Sequence, residues 1–430
     1  MQRAKRNWTF GIIASVPFLM VLGNSMLFPV FPKMQRVLHL SGLQVSLVVT
    51  AFSVPAGLLI PLAGYLADRY GRRKVMVPSV ALFSLGALLA GFSTVLAGHP
   101  YVHILVGRVL QGVGAAGMSQ LAMVMTADLF AGKGRGRMLG MIEGANGLGK
   151  VISPITGGLL GVVFYGLPFF AFGFLGVVVT LGLLLVAREP GFEPIRERLG
   201  PYTHKIVKVF RDRGLPIAAV LASGAVGMFV LFGTIFYLSE VLEKRYGVPE
   251  LSVGFILALP TAALSVTALL TGMYLQRSGA GRAKPLAIWG LGVIGAVMVV
   301  NAFFAQKAVL LVAVSCIGVG GGLLLPALNL LITSATATEH RGTITSLYGG
   351  VRFLGVAVGP PVFDLLMKTS HALLFGTAAA VTVATGVFAL VALDSARLMG
   401  EGGPPQGRGP ESARPRTGAP VRKRRVPTPG

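Results

Sequence analysis

The chain has 430 residues, of which 53% are hydrophobic and only 12% are charged. Soluble domains carry about 25% charged residues, so this composition excludes an ordinary soluble protein. The net charge of +23 does not indicate a nucleic-acid-binding domain, because the bases lie at the edges of long apolar stretches and not on one soluble fold.

Twelve apolar stretches follow one another along the chain, separated by Gly, Pro and charged residues. Each reaches the roughly 20 residues that an α-helix needs to cross a bilayer. We therefore predict an all-α integral membrane protein with twelve transmembrane helices, with boundaries near 9–30, 43–63, 76–97, 102–127, 138–160, 168–187, 215–238, 251–275, 286–305, 308–332, 346–367 and 371–393.

Lys and Arg are distributed unevenly between the two sides that this topology defines. Most of the 38 lie in the termini and in the alternate connections on the same side as the termini. The positive-inside rule assigns that side to the cytoplasm. We expect a multi-pass protein of the cell membrane with both termini cytoplasmic.

Two sequence patterns recur in the second half of the chain. "GYLADRYGRRK", from Gly64, has a weaker counterpart in "GMYLQRSGAGR", from Gly272, and Gly71 corresponds to Gly279. "RGRMLGMIEGANGLGKVISP" likewise matches "RGTITSLYGGVRFLGVAVGP". Internal repeats of this kind are common in transporters. The sequence predicts two six-helix pseudo-repeats around a central cavity.

The repeats define the expected domain organisation. A first bundle covers 1–187, a cytoplasmic linker loop covers 188–214, and a second bundle covers 215–393. The remaining residues, 394–430, are dominated by Pro, Gly and Arg. We expect them to form a disordered basic tail in the cytoplasm.

"GYLADRYGRRK" resembles the signature of the major facilitator superfamily, the loop between its second and third helices with the pattern G-x-x-x-D-R-x-G-R-R/K. The resemblance implies that the loop acts as a conformational latch that clamps the cytoplasmic helix ends together. An alternative is that the bases only fix the membrane topology. The residues assigned to the latch are Gly64, Asp68, Arg69, Gly71 and Arg72, with Asp128 as the acid that Arg72 can reach.

"LVGRVLQGVGAAG", residues 105–117, resembles the fourth-helix motif of proton-coupled members of this superfamily, with Arg108 and Gln111 in the expected places. A charged residue inside a span is energetically costly and normally faces a cavity. The resemblance assigns Arg108 to proton coupling. The alternative is that its side chain extends to the membrane surface.

"GLGKVISPITGG", residues 147–158, resembles the fifth-helix motif of the twelve-helix drug:proton antiporters, which implies export. The matching residues are Gly149, Pro154, Gly157 and Gly158, whereas Ser153 replaces a glycine of that motif. This departure leaves proton symport open. Small residues at this spacing also allow any two helices to pack closely, which is the structural alternative.

Glu143 is the carboxylate that lies clearly inside the predicted spans of the first half. We expect it to be buried and to bind and release the coupling proton, with a structural role as the alternative. Asp364, near the end of the eleventh predicted helix, is a second candidate. Bases outnumber acids inside the spans, so we expect an electropositive cavity for an anionic, zwitterionic or hydrogen-bond-rich substrate, lined by Asn24, Gln111, Lys150 and Arg352.

These observations predict a secondary active transporter that exports a small organic molecule, drug-like, siderophore-like or otherwise anionic, by proton-coupled alternating access. Proton symport or facilitated uptake is the alternative. No nucleophile or metal-ligand spacing indicates an enzyme, a cofactor or a metal site, and the single Cys316 excludes an intrachain disulfide. The expected partners are the substrate, protons and the lipid bilayer, with no nucleic acid, for a monomeric protein.

Overall fold

The computed structural model describes residues 2–130, 133–187, 189, 199–334 and 341–393, without the side chains of 2–7, 133–135, 199–210, 212–213 and 341–343. The predicted disordered tail, 394–430, and residues 190–198 of the predicted linker lie outside the described residues.

Helices form almost all of the described chain. The first half contains α1 (Gln2–Ser25), α2 (Phe31–Leu38), α3 (Gly42–Tyr70), α4 (Arg72–Leu96), α5 (Pro100–Ala115), α6 (Ser119–Leu129), α7 (Lys133–Val163) and α8 (Leu167–Leu185). The second half contains α9 (Leu199–Lys244), α10 (Glu250–Ser278), α11 (Ala283–Phe303), α12 (Lys307–Ser334), α13 (Arg341–Met367) and α14 (His371–Ala392).

These helices make twelve spans, because α1 continues through a 3-10 turn into α2, and α5 and α6 together form the fourth span. Eleven spans of the described chain are long and apolar enough to cross a membrane. The twelfth is α7, which has 31 residues and carries Glu143 and Lys150. Large apolar side chains such as Leu185 and Val391, 83% and 80% exposed, lie on the perimeter, as lipid-facing residues do. The predicted all-α, twelve-span fold is confirmed.

Several boundaries differ from the prediction. Helix α9 begins at Leu199, inside the predicted linker loop, and ends at Lys244, beyond the predicted end at 238. The first span extends through α2 to Leu38 and not to residue 30. At the end of α2 and at the C-terminal end of α9, charged residues led the prediction to end the spans too early, whereas these residues are paired in the folded chain, Arg36 with Glu243 and Lys244 with Glu240.

The helix ends follow from local sequence. Ser41 Oγ accepts a hydrogen bond from the Gln44 backbone N–H (3.2 Å), and Gln44 Oε1 accepts one from the Ser41 N–H (2.8 Å). This capping box begins α3. Gly71 (φ 106°) separates α3 from α4, and Gly279 (φ 80°) ends α10, in backbone conformations that favour glycine. These two glycines correspond in the predicted repeat, so both halves contain a similar turn.

The two halves meet along two helix pairs, α3 with α13 and α7 with α10. Glycines allow the backbones to approach closely. A Cβ atom at Gly57 would lie 2.8 Å from the Gly350 carbonyl oxygen, and one at Gly254 would lie 2.5 Å from the Pro154 carbonyl oxygen. We call the end of the bundle with the Gly71 turn the basic end, and the opposite end the α2 end.

Replacing Gly57 with Ala should destabilise the protein, because the added methyl group would clash with the backbone of α13. Overpacking of this kind costs about 1–3 kcal/mol. Gly272→Ala is the matched control, since nothing lies within 4 Å of the position where its Cβ would be. Thermal unfolding in detergent should show a lower midpoint for Gly57→Ala than for Gly272→Ala. Equal midpoints would contradict the close approach of α3 and α13.

Candidate functional site

The residues assigned to the latch meet at the basic end of the first half. The Arg72 guanidinium at the start of α4 forms an ion pair with the Asp128 carboxylate at the end of α6. Asp68, half-buried at the end of α3, lies within electrostatic range of both groups. Arg72 and Asp128 both belong to the first half, so their ion pair does not itself join the two halves.

Gly64 is the residue of this motif that touches the second half. A Cβ atom at Gly64 would lie 3.0 Å from Ser346 Oγ on α13. Arg69 is exposed and donates a hydrogen bond to the Tyr65 hydroxyl on its own helix (3.0 Å). A movement of α3 away from α13 would therefore break the contact of Gly64 with Ser346.

Glu189, just after α8, holds the start of α4. Its two carboxylate oxygens accept hydrogen bonds from the backbone N–H groups of Arg72 (2.9 Å) and Arg73 (3.0 Å). The Arg73 guanidinium in turn donates to the carbonyls of Leu183 and Leu184. A carboxylate at a helix N-terminus satisfies free N–H groups and interacts favourably with the helix dipole. The sequence analysis missed Glu189, because no local pattern connects it with a helix start so far away in the chain.

Arg108 is fully buried between α1, α3 and α5. Its guanidinium donates to the carbonyls of Val48 (2.9 Å) and Gly23 (2.6 Å) and to Gln111 Oε1 (3.2 Å). It also lies 4.4 Å from the centroid of the Phe52 ring, a cation–π geometry. These contacts connect three helices of the first half. They agree with a structural role of Arg108 at least as well as with a role in proton coupling.

Glu143 is exposed, so the expectation that it is buried was wrong. The neighbouring Gly140 and Gly144 on α7 also face open space. The basic-end part of α7 therefore has an uncovered face, which the length and hydropathy of a span cannot reveal. Glu143 lies within electrostatic range of Lys150.

The middle of the bundle brings together bases from both halves. Lys150 on α7 and Arg352 on α13 lie within electrostatic range of each other. The Arg352 guanidinium is 5.4 Å from the centroid of the Tyr348 ring, one turn earlier on the same helix. Both side chains of α13 lie against Gly224 of α9.

Several polar atoms of the spans are buried without a hydrogen-bond partner in the described part of the chain. Leaving such atoms unpaired is costly, so clusters of them favour a ligand-binding surface over a structural core. The atoms are Asn24 Oδ1, Gln111 Nε2, Asn146 Oδ1, Tyr348 Oη and Arg352 Nε. Asn146 and Tyr348 were not singled out from sequence, because an isolated Asn or Tyr in a span carries no distinctive pattern.

The small residues of the α7 motif face two different helices. Gly149, Ser153 and Gly157 lie against α1, where Ser153 Oγ donates to the Leu22 carbonyl (3.4 Å). Ser153 is fully buried there, so the serine that replaces the motif glycine is accommodated. On the other side, Pro154 and Gly158 contact α10 of the second half.

Two further acids are buried at the α2 end. Asp364 on α13 is fully buried and pairs with Lys368 Nζ at 2.5 Å. Glu240 on α9 is 2% exposed, pairs with Lys244 and accepts a hydrogen bond from Gln35 of α2. Sequence analysis missed Glu240 because it lay beyond the predicted end of its span. Among the described residues, no group of three or more His, Cys, Asp or Glu side chains could hold a metal ion.

The family profile of the Major Facilitator Superfamily matches residues 13–360 of the chain. The chain belongs to this superfamily. It is 37% identical to the bacillibactin exporter of Bacillus subtilis (strain 168) over 385 residues, which covers 89% of this chain and 96% of that protein. It is 26% identical to multidrug resistance protein 2 of the same organism over 368 residues, 83% of this chain and 89% of the relative.

A solved structure shows the same fold. The crystal structure of a D-xylose–proton symporter superimposes with a TM-score of 0.73 at 15% sequence identity, over 90% of this chain and 98% of the symporter. At this identity the likeness establishes the superfamily fold and carries no information on the substrate.

Replacing Glu189 with Ala should loosen the start of α4, because two backbone N–H groups lose their acceptor. Loss of such a cap costs about 0.5–2 kcal/mol. Glu189→Gln keeps one acceptor oxygen but removes the charge, so its effect should be smaller. Thermal unfolding of the three proteins should give midpoints in the order native, Glu189→Gln, Glu189→Ala. A midpoint for Glu189→Ala equal to the native one would contradict this anchoring role.

Proposed function

We propose that this protein is a monomeric secondary active transporter that exports a small organic anion in exchange for protons by alternating access. The superfamily assignment and the 37% identity to a bacillibactin exporter over almost the whole chain support export. The small-residue motif of α7, packed against α1 and α10, supports the same direction.

The distribution of charge supports one orientation in the cell membrane. The basic end carries Arg69, Arg72 and Arg73, and the positive-inside rule assigns such an end to the cytoplasm. Both termini are then cytoplasmic and the α2 end faces outward. The latch residues around Arg72 and Asp128 would then control the cytoplasmic opening.

One observation is the main support for an anionic substrate. Lys150 and Arg352, which belong to opposite halves, lie within electrostatic range of each other. These two like charges repel each other, and Glu143 is the acid within electrostatic range of Lys150, so a bound anion between the bases would add a further opposite charge. An anion held by one base from each half would also couple binding to the relative position of the halves. Glu143, which is exposed on α7 near Lys150, together with Arg108 and Asp364, remains a candidate for the proton pathway.

Transport by the purified protein in liposomes tests this function. With an imposed pH gradient and a panel of anionic and cationic compounds, anions should move against the proton flux. Glu143→Gln should uncouple the two fluxes if Glu143 carries the proton. Proton movement in the same direction as the substrate would make the protein a symporter. Substrate movement without protons would make it a facilitator, and either result would overturn the proposed export mechanism.

The substrate class is tested in the same liposomes. Lys150→Gln should lower anion transport at least about tenfold, the effect of losing about 1.4 kcal/mol of binding. Lys307→Gln is the control, because Lys307 is an exposed base at the start of α12, beside the Tyr246 ring. Unchanged anion transport by Lys150→Gln would contradict an anion site at Lys150.

A further inference from the structure

The outward-facing end of the molecule is closed by side chains that reach from α2 to the second half. The Gln35 amide contacts both members of an ion pair on α9, since its Nε2 donates to Glu240 and its Oε1 accepts from Lys244. The next residue, Arg36, pairs with Glu243. We call these five residues the outer gate.

A second contact between the halves lies beside this gate and involves Asp364. The first residue of α3, Gly42, packs so closely against Asp364 Oδ1 that a Cβ atom there would overlap with the carboxylate. Asp364 is fully buried, and its Oδ2 is 2.5 Å from Lys368 Nζ. No donor of the described chain hydrogen-bonds to Oδ1.

Asp364 lies close to a second acid and to a base that is exposed to solvent. Glu240 lies within electrostatic range and adds a like charge. The side chain of Lys368 is 52% exposed, so its attraction is weakened by solvent. Lys368 of the same helix pairs with Asp364, and Glu240 of α9 lies within electrostatic range of it. The pocket that contains Lys368 and Glu240 is also lined by the titratable groups Tyr237 and Lys244 of α9, Arg245 just after α9, and His371 of α14. From α3 the contact is Gly42, which has no side chain.

His371 lies in the same pocket as Lys368, but its ring is already engaged. Its Nδ1 lies 2.9 Å from the Tyr237 hydroxyl and its Nε2 lies 2.7 Å from the Asn301 carbonyl oxygen. A neutral imidazole that donates from Nε2 and accepts at Nδ1 satisfies both contacts. The histidine therefore has no unpaired atom that opening of the gate would expose.

We propose that Asp364 is the proton switch of the outer gate, so that protonation of its carboxyl group from outside favours docking of α3 and closure of the gate. An unpaired oxygen of an ionised carboxylate is costly to bury against a backbone, and protonation lowers this cost because it removes the charge. When the gate opens, Asp364 faces water and can ionise. The inference rests on the proposed proton-coupled export, and its direction agrees with it, because an antiporter must close outward after binding a proton there.

Distances between two spin labels measure the gate directly and without transport. With Cys316 replaced by Ser, labels on Val37→Cys of α2 and Gln306→Cys between α11 and α12 report on the two halves from exposed positions. Without a further substitution, acidic buffer should raise the ratio of short to long distances by at least about fivefold relative to mildly alkaline buffer. A factor of about five is the lower end of the usual range for coupling between two sites.

Asp364→Asn should give the short distance at both pH values, because the amide resembles the protonated acid. Gly42→Ala should give mainly the long distance, since its methyl group displaces Asp364 from the opposite half. This second variant tests the contact even where Asp364→Asn folds poorly. His371→Gln should keep the native pH response.

A pH response that persists in Asp364→Asn, or that disappears in His371→Gln alone, would overturn the proposal. A native protein whose distances ignore pH would overturn it as well. If the response is present and is lost in Asp364→Asn while liposomes show no proton-coupled export, the switch stands and the proposed function fails.

Discussion

Close packing of helix backbones at glycines is the constraint on which this structure depends. Along α3 and α13 the contacts run from Gly42 at one end, through Gly57, to Gly64 at the other. At Gly57 the partner is the backbone of Gly350, whereas Gly42 and Gly64 contact the Asp364 and Ser346 side chains. The backbone contact at Gly57 has no interlocked side chains, so the two helices can rock on each other about it. Alternating access requires such a pivot, since one end must open while the other closes.

The polar contacts are distributed differently at the two ends of the bundle. This difference can control which end opens when the halves rock. At the α2 end, α2 contributes Gln35 and Arg36 to contacts with acids of α9 across the interface. At the basic end, the ion pair of Arg72 and Asp128 lies within the first half and is supported by Glu189. The described structure therefore represents a state in which charged and polar contacts between the halves close the α2 end.

The buried charges fall into two kinds with different chemistry. Arg108 donates to two backbone carbonyls and to Gln111, with its Nη2 left unpaired among the described residues, and these contacts connect three helices. Lys150 and Arg352 lie within electrostatic range of each other, with Arg352 Nε and Tyr348 Oη unpaired among the described residues, an arrangement that a bound anion would stabilise. The first kind holds the first half together during the motion, whereas the second kind can respond to substrate.

Much of this architecture could be predicted from sequence because it depends on local composition. Span number, the repeated turns at Gly71 and Gly279, and the reach of Arg72 to Asp128 all follow from hydropathy and short motifs. What failed depends on contacts between distant segments. Glu143 was expected to be buried because hydropathy does not reveal which face of a helix is covered.

Glu240 shows the same limit of sequence analysis in the opposite sense, since it lies beyond the predicted end of its span but is buried. Its burial requires Gln35, which lies far away in the sequence, and its charge is balanced by Lys244 one turn later. A hydropathy window ends the span before such a residue, because the window registers the charge of the residue but not the distant side chains that pair with it. The helix in fact continues to Lys244.

Cross-linking of the outer gate tests the alternating-access account most directly. In a protein with Cys316 replaced by Ser, Gln35→Cys and Lys244→Cys would be joined by a short, cleavable thiol reagent, and export would be measured in liposomes before and after cleavage. The account predicts that the cross-linked protein stops exporting but still binds substrate from the cytoplasmic side, and that cleavage restores export to the level of the uncross-linked double variant. Export that continues at an unchanged rate with the gate cross-linked would contradict it.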